Sequence, residues 1–343
     1  MILVVIVLIL ILLVIIGIIF INSSPQFGAK TTGESYERII SSKNFKKGKF
    51  RNVQKRNSTQ NNNLDSYKKK LTPNVKVVWF GHSALLLEVD NRKIFLDPML
   101  GKRSSPISFI GPKRFNKDLP IKIEDIPNLD AVLISHDHYD HLDYLSITKL
   151  KDKVKMFYVP LGIAAHLKSW GVEELKIVEL DWWEEIKFEE LTFVCTPSHH
   201  FSGRGLFNKD NTLWCSWVIK GENENIFFSG DTGYSKSFKE IGDKFGPFNL
   251  TLLECGQYNK NWADFHMFPE ETVRANIELR GKLLMPIHWG AFKLAFHPWQ
   301  EPVERLLKEA NSLNVKVTTP RIGEPVILGK SEPCSKWWMD KNE

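Results

Sequence analysis

Three histidines and an aspartate crowd into one short stretch of the chain, "SHDHYDHLD" from Ser135 to Asp143. His136 and His138 alternate along the backbone, so in an extended conformation their side chains point the same way. Asp140 and His141 follow, where we expect a helix to begin. Two imidazoles can bind one metal ion, and a carboxylate with a third imidazole can bind a second ion beside it. Because this donor set contains no thiolate, it favours Zn²⁺, with Fe or Mn as alternatives.

Four ligands do not fill the coordination of two ions, so further ligands should come from the ends of other strands. His199 and His200 follow the run "LTFVCTP", Asp231 lies in "SGDTG" between two glycines, and His288 lies in "MPIHWG". A single histidine of this kind is usually a hydrogen-bonded or surface residue. The full set, with each member after a strand-like run, instead indicates a dinuclear metal centre. One carboxylate of the set is expected to bridge the two ions.

The runs around these residues predict the elements that hold them in place. Strand-like apolar runs begin near Val75 and include a hairpin that turns at Asp90 and Asn91. The histidine cluster follows the buried run "DAVLIS", and loops after strands commonly carry site residues. Helical spacing of apolar residues marks the stretches 161–170, 235–245, 269–279 and 302–313. Many strands mixed with well-separated helices indicate an α/β layer arrangement, and periodicity alone leaves the topology open.

The N-terminus carries an apolar segment that is long enough to cross a bilayer. Residues 1–21 are almost entirely Ile, Leu and Val, and about 20 such residues span the hydrocarbon core as a helix. A cleaved signal peptide is the alternative, but the run is long for one and no Lys or Arg precedes it. Many basic residues follow the segment, so the positive-inside rule places the main domain on the cytoplasmic side. We therefore predict an uncleaved membrane anchor with a cytoplasmic-facing domain.

The net charge of +6 on the 343-residue chain is concentrated in one segment. Residues 43–70 are rich in Lys and Arg, which predicts a solvated linker or contact with anionic lipid head groups, with no nucleic-acid partner. The predicted domains are an anchor (1–22), a polar basic linker (23–72), a catalytic domain (73–330) and a C-terminal tail (331–343). The four cysteines lack clustered spacing and are expected to be buried free thiols. The sequence leaves a homo-oligomer open.

Taken together, these motifs resemble the metallo-β-lactamase superfamily of dinuclear metal hydrolases. The resemblance rests on "HDHYDHLD", His200, "SGDTG" and "IHWG", and it covers Val75 to Gly329. The stretches "WFGHSALLLEVD", "LDPML", "SPISFIGPKRF" and "FHMFPEETV" further resemble N-acylphosphatidylethanolamine-hydrolysing phospholipase D and its bacterial relatives. The resemblance implies an αβ/βα four-layer sandwich, preceded here by the N-terminal transmembrane helix, with two metal ions at one edge between the sheets.

The superfamily pattern implies seven metal ligands in two groups that share a bridging carboxylate. The first zinc ion would be held by His136, His138 and His200. The second would be held by Asp140, His141 and His288, and Asp231 would bridge the two ions.

The resemblance also implies residues that act beside the metal ions. Asp140 is counted as catalytic as well as a ligand, together with Asp97 in "FLDP" and His266 in "FHMFPEE". His266 would be a general acid or contact the phosphate, and Asp97 would orient a ligand imidazole or assist a proton transfer. His82 and His199 are expected to support the ligands. His199 departs from the Gln that lipid-hydrolysing relatives usually carry.

The implied activity is that of a membrane-anchored phospholipase D, with phospholipid and membrane as partners. Two metal ions would promote hydrolysis of N-acylphosphatidylethanolamine to N-acylethanolamine and phosphatidic acid. One alternative is a metal-dependent hydrolase of a soluble phosphodiester or sugar-phosphate lactone, and another is a non-catalytic, metal-stabilised membrane module. An apolar groove beside the metals would favour the lipid, and "SPISFIGPKRF" and "WGAFKLAFHPW" are candidates to line it. The complete ligand set argues against a non-catalytic module.

Overall fold

Two β-sheets packed face to face form the centre of the protein in the computed structural model, which describes residues 2–52, 75–107, 109–116, 118–205 and 208–339. An N-terminal part precedes the two sheets. It comprises helix α1 (Ile2–Ser23), helix α2 (Gly33–Ser41) and a small hairpin of β1 (Phe45–Lys46) and β2 (Lys49–Phe50). Helix α1 is long and apolar enough to cross a membrane, and its described side chains are almost all exposed to the surroundings.

The first sheet has seven strands. They are β3 (Lys76–Trp79), β4 (Leu85–Val89), β5 (Arg92–Leu96), β6 (Leu129–Leu133), β7 (Val154–Pro160), β8 (Ile177–Leu180) and β15 (Pro325–Ile327). Their order is β15-β3-β4-β5-β6-β7-β8, and strands β5 to β8 run parallel. The predicted hairpin between β4 and β5 is present, and Asp90 and Asn91 at its turn both have positive φ, as a tight hairpin turn requires.

The second sheet has six strands in the order β14-β13-β12-β11-β10-β9. They are β9 (Glu185–Phe188), β10 (Leu191–Thr196), β11 (Ser216–Lys220), β12 (Asn225–Phe228), β13 (Leu250–Glu254) and β14 (Leu284–Ile287). Strands β12, β13 and β14 pair in parallel. Strand β13 is buried along its whole length because it lies inside the sheet with helices on one face and the other sheet opposite.

Helices cover the outer faces of both sheets and complete four layers. Helices α3 (Tyr144–Leu150) and α4 (Ala164–Ser169) lie on the first sheet, where Ile147 and Leu167 join Val132 and Phe157 in one apolar cluster. Helices α5 (Ser237–Phe245), α6 (Pro269–Glu278) and α7 (Glu301–Ser312) belong to the layer beside the second sheet. The predicted αβ/βα four-layer sandwich is confirmed.

Residues 24–52, which the sequence assigns to the linker, pack against the sandwich. Ile39 of α2 and Phe50 of β2 are buried in the core cluster that lies between the sheets. The amide of Phe50 donates to the carbonyl oxygen of Asp210 at 2.8 Å. The predicted boundary at residue 73 therefore leaves out part of the folded domain, because the few apolar side chains in this basic segment are too widely spaced to form a periodic pattern. Residues 53–72 of the predicted linker lie outside the described part.

The C-terminal stretch also contributes to the core beyond the predicted boundary at residue 330. Trp337 and Trp338 are buried, and Trp337 stacks on Trp289 with ring centroids 5.5 Å apart. Of the four cysteines, Cys195, Cys215 and Cys255 are buried free thiols as expected, whereas Cys334 is exposed.

Candidate metal centre

Strand ends from both sheets meet at one edge of the sandwich, and we call this the metal edge. Strand β6 leads into the loop of His136, β10 into that of His200, and β12 and β14 into Asp231 and His288. Parallel strands end at the same side of a sheet, which explains why residues so far apart in the chain converge. Gly230 allows the closest approach, because a Cβ there would lie only 2.5 Å from the Cβ of Ser135.

The first predicted group is closely assembled. Nε2 of His136 lies 2.9 Å from Nδ1 of His138, and Nε2 of His200 lies 3.2 Å from the same atom. Nitrogen ligands about 2.0 Å from one tetrahedral ion lie roughly 3.3 Å from each other. The separation of these three imidazole nitrogens therefore suits a shared ion.

The second predicted group lies beside the first. Oδ2 of Asp140 is 3.5 Å from Nε2 of His141 and 2.8 Å from Nε2 of His82. His288 joins these three residues in one set of donor atoms that all lie within 4.8 Å of one another. His82 is thus part of the cluster itself and contacts a predicted ligand directly.

Asp231 reaches both groups, as a bridging carboxylate must. Its Oδ2 lies 3.0 Å from Nε2 of His141 and 3.9 Å from Nε2 of both His136 and His200. Its Oδ1 lies 3.0 Å from Nδ1 of His288. The two carboxylate oxygens therefore face ligands from both predicted groups.

The chemistry of the cluster fits divalent metal ions. The seven predicted ligands are five imidazoles and two carboxylates, and most of these side chains are fully buried. Nε2 of His288 is buried without a hydrogen-bond partner among the described residues. Such a group is costly unless a cation or water satisfies it, and buried carboxylates also require a compensating positive charge.

The protonation of His136, His200 and Asp231 suits metal binding. Burial, with repulsion from neighbouring imidazoles, holds the pKa of His136 and of His200 well below the ordinary value, so these rings are neutral and have a lone pair to donate. Burial alone would raise the pKa of Asp231, but the charges of His141 and His288 outweigh it and hold that pKa well below its usual range. Asp231 is therefore ionised.

Asp97 contacts a ligand from behind. It is fully buried, and Oδ2 lies 2.7 Å from Nδ1 of His141 while Oδ1 accepts the amide of Ser135 at 2.7 Å. A hydrogen bond at Nδ1 leaves Nε2 of His141 as the ligand atom, which is the usual task of a carboxylate behind a metal-binding histidine. Of its two expected roles, the geometry favours orienting the imidazole over proton transfer.

His266 lies beside both groups and rests on a carboxylate that the sequence did not reveal. Its Nδ1 is 3.0 Å from Oε2 of Glu254, and its ring stacks on His288 with centroids 5.3 Å apart. Glu254 is fully buried at the end of β13 and also accepts the amide of Met267. Burial and the nearby Asp231 raise the pKa of Glu254 well above its ordinary value. The only signal in the sequence is one acidic residue closing the apolar run "LTLLE".

One local expectation is wrong, and a second one stays a prediction. Asp140 and His141 do not begin a helix. They lie in a turn, and α3 begins later at Tyr144, with Asp143 as its N-cap accepting the amide of Ser146 at 3.0 Å. The backbone of His199 contacts Thr232 and Gly233 in the Asp231 loop, and its supporting role stays a prediction.

Comparison with known proteins relates this geometry to a family. The β-lactamase superfamily domain matches residues 92–289. An uncharacterized protein of Mycobacterium tuberculosis is 48% identical over 266 residues, which are 76% of this chain and 71% of that protein. N-acyl-phosphatidylethanolamine-hydrolyzing phospholipase D 1 of Caenorhabditis elegans is 37% identical over 242 residues, which are 66% of this chain and 67% of that enzyme.

A solved structure shows the same fold. Isothiocyanate hydrolase from Delia radicum gut bacteria matches with a TM-score of 0.58 and 22% sequence identity, covering 73% of this chain and 98% of that one. At this level of identity the likeness concerns the fold and carries no statement about substrate.

Proposed function

Because this chain belongs to the metallo-β-lactamase superfamily of metal-dependent hydrolases, we propose that it is a phospholipase D that acts on N-acylphosphatidylethanolamine. The observation that carries the proposal is the 37% identity to the worm phospholipase across two thirds of both chains. Water would add to phosphorus, and the bond to the ethanolamine oxygen would break. The products would be phosphatidic acid and an N-acylethanolamine.

The seven clustered ligands would hold two ions, which we propose to be zinc. His136, His138 and His200 would bind one, Asp140, His141 and His288 the other, and Asp231 both. Bound there, the ions would supply Lewis-acid stabilisation of the phosphodiester oxygens and activate water. Asp97 fixes the ring of His141, and His82 fixes the carboxylate of Asp140.

His266 is the group placed to move a proton. Its Nδ1 is engaged by Glu254, so Nε2 is the atom left to meet the substrate. Its side chain keeps 15% of its surface exposed while Glu254 is fully buried, so the pair presents the imidazole and hides the carboxylate. We assign His266 the transfer of a proton to the departing alkoxide, with Glu254 positioning the ring through its contact with Nδ1.

Surroundings of the cluster support a lipid substrate. Of the two stretches suggested to line a groove, "WGAFKLAFHPW" lies beside the cluster, since Phe292 contacts His82 with ring centroids 5.3 Å apart, and Arg114 of the other stretch lies over the Phe292 ring at 4.8 Å. An apolar helix that could serve as a membrane anchor precedes the domain. A phospholipid is held in the bilayer, so an anchored enzyme would meet it by diffusion in two dimensions.

The proposal is tested by comparing substrates on purified, metal-loaded protein. The full chain in detergent is given phosphatidylethanolamine with and without N-acylation, and a soluble phosphodiester in parallel. We expect release of N-acylethanolamine from the N-acylated lipid and little turnover of the others. Efficient turnover of the soluble phosphodiester or of a lactone, with none of the lipid, would assign the chain to the soluble-substrate alternative.

A further inference from the structure

We propose that the metal edge is the face that the domain turns toward the membrane, held there by two exposed apolar loops in addition to α1. This inference rests on the anchoring part of the proposed function and does not depend on which phospholipid is cleaved. Three separate segments carry this inference: the segment that follows α1, the loop that follows β5, and the loop that follows β14.

The first loop, of which residues 102–107 and 109–114 are described, forms a hairpin whose tip is apolar. Arg103 and Lys113 face each other across it, and the guanidinium of Arg114 fixes its base by donating to the carbonyl oxygens of Phe80 and Met99. Phe109 at the tip is 74% exposed, although burying a phenyl ring in water-free surroundings is favourable. A loop with a buried base and an exposed aromatic tip is suited to insertion of that tip into a lipid bilayer.

The second loop, residues 291–299, lies against the first. The amide of Phe115 donates to the carbonyl oxygen of Ala291 at 2.9 Å, and the Phe115 ring packs on Trp299 with centroids 5.2 Å apart. Phe292 is buried beside His82, whereas Phe296 is 81% exposed. The two loops therefore form one apolar rim that begins at the metal cluster.

The charge of this rim fits a lipid surface. The sequence has no Asp or Glu from residue 98 to 116 or from residue 291 to 299, while both loops are basic. The basic residues are Lys102, Arg103, Lys113 and Lys293, with the buried Arg114 at the base of the first loop. Aromatic tips surrounded by Lys and Arg are typical of peripheral membrane contacts, since the cations attract anionic head groups while the rings enter the interface.

The segment that follows α1 is fixed to the same edge. The indole of Trp170 donates to the carbonyl oxygen of Pro25 at 2.9 Å, and the amide of Ala29 donates to Nδ1 of His166 at 2.9 Å. Because these bonds lie only a few residues beyond Ser23, the anchor cannot hold the domain at a distance.

Arg204 links this segment to the ligand loop. Its Nε donates to the carbonyl oxygen of Gln26 at 3.1 Å, and its Nη1 donates to those of Asp137 and Leu142 at 2.6 and 2.7 Å. Asp137 lies between the ligands His136 and His138, and Leu142 directly follows the ligand His141, so the segment after α1 is joined directly to the metal edge. A bilayer that contains α1 would therefore lie near this edge.

The opposite edge supplies a matched control. Leu175 is 92% exposed and stands just before β8. Because β8 is parallel to β6, its start lies at the far side of the sheet from the metal cluster. Leu175 is thus as exposed and apolar as Phe109 but should remain in water.

The test measures the depth of single labelled positions in the membrane. Full-length Cys334→Ser protein, which lacks the exposed thiol, receives Phe109→Cys, Phe296→Cys or Leu175→Cys and an environment-sensitive fluorophore at the new cysteine. Each variant is reconstituted in vesicles of phosphatidylcholine and phosphatidylglycerol, with or without doxyl-labelled lipid as a quencher. Metal content and circular dichroism verify that each variant is folded. If Phe109→Cys is not folded, Ile110→Cys takes its place as the labelled position in the first loop.

We expect the quencher to remove most of the emission at positions 109 and 296 and to leave that at position 175 unchanged. Equal emission with and without quencher at 109 and 296 would overturn the proposal, as would equal quenching at all three positions. The quenching measurement does not depend on enzymatic turnover. A negative result in the phospholipid assay would therefore contradict only the proposed substrate and not the proposed membrane-facing edge.

Discussion

Asp231 is the single side chain on which both ligand groups depend, because its Oδ2 lies 3.0 Å from His141 of the second group and 3.9 Å from His136 and His200 of the first. We predict that Asp231→Ala lowers the metal content from two ions to one or none per chain and abolishes hydrolysis, while the domain stays folded. Elemental analysis, circular dichroism and the lipid assay check this. Asp243→Ala, at an exposed carboxylate of α5, is the control and should retain both ions. Near-normal turnover of Asp231→Ala would contradict the bridging role.

His266 and Glu254 are expected to act as one unit. His266→Ala should lower kcat by about 10²–10⁴, the usual contribution of a positioned general acid, with both metal ions retained. Glu254→Gln, which keeps the size of the side chain but replaces its carboxyl group with an amide, should lower kcat by a smaller factor in the same direction.

A double-mutant cycle distinguishes this coupling from a separate structural role of Glu254. The variant with both substitutions should be no slower than His266→Ala alone, because Glu254 acts only through the ring. If the two losses of kcat multiply, Glu254 acts independently of His266.

The sequence could predict the neighbours of the metal ions better than the residues that orient them. Histidines and aspartates at strand ends are rare enough to be recognised from type and spacing, and the structure brings those residues together. Glu254 could not be predicted as a site residue, because a single acidic residue at the end of an apolar strand forms no recognisable spacing with other residues. Its contact with His266 exists only once the loop after β13 has folded back.

Among the secondary-structure elements, the short hairpin of β1 and β2 is expected to contribute strongly to the stability of the domain. Phe50→Ala should lower the free energy of unfolding by about 3 kcal/mol or more, because the ring is completely buried between the hairpin and the core. Phe109→Ala, which removes an exposed ring, should leave the free energy of unfolding unchanged. Chemical denaturation of the two variants beside the unchanged protein measures the difference, and similar midpoints for all three would show that the hairpin is detached in solution.

Long periodic elements were predictable, and short ones were not. Apolar spacing predicts the central strands and the helices near residues 235–245, 269–279 and 302–313. The spacing is visible in the sequence because one face of each element is buried in the core. Strands β1, β2 and β15 have two or three residues, too few for any period. Strand β15 is set by pairing with β3, and the hairpin of β1 and β2 is held by the distant contact of Phe50 with Asp210, information that a local pattern does not contain.

For the chain as a whole, the anchor and the domain should be separable at a defined point. Removing residues 1–22 should give soluble protein that still binds metal, because the described side chains of α1 make almost no core contacts. Removing residues 1–52 should lower the melting temperature, since Ile39 and Phe50 leave the core. Gel filtration, thermal denaturation and metal analysis check both. Insoluble, unfolded protein from the shorter deletion would place α1 within the domain.

The side of the membrane on which the domain lies remains a prediction from charge. Lys and Arg are frequent after the span, which favours the cytoplasmic side. A reporter that is active only in the cytoplasm, fused to the C-terminus, should be active, and one that requires export should be silent. The reverse pattern of reporter activity would refute the cytoplasmic placement.

The core that unites Ile39 and Phe50 with Trp337 and Trp338 has a consequence for biosynthesis. Nearly the whole chain separates these two pairs, so the ribosome must translate past Trp338 before the core can close. Helix α1 leaves the ribosome long before that moment and becomes available to the insertion machinery while the rest is still being made. If α1 is the proposed anchor, the sandwich would therefore close only after the chain has been tethered at the bilayer.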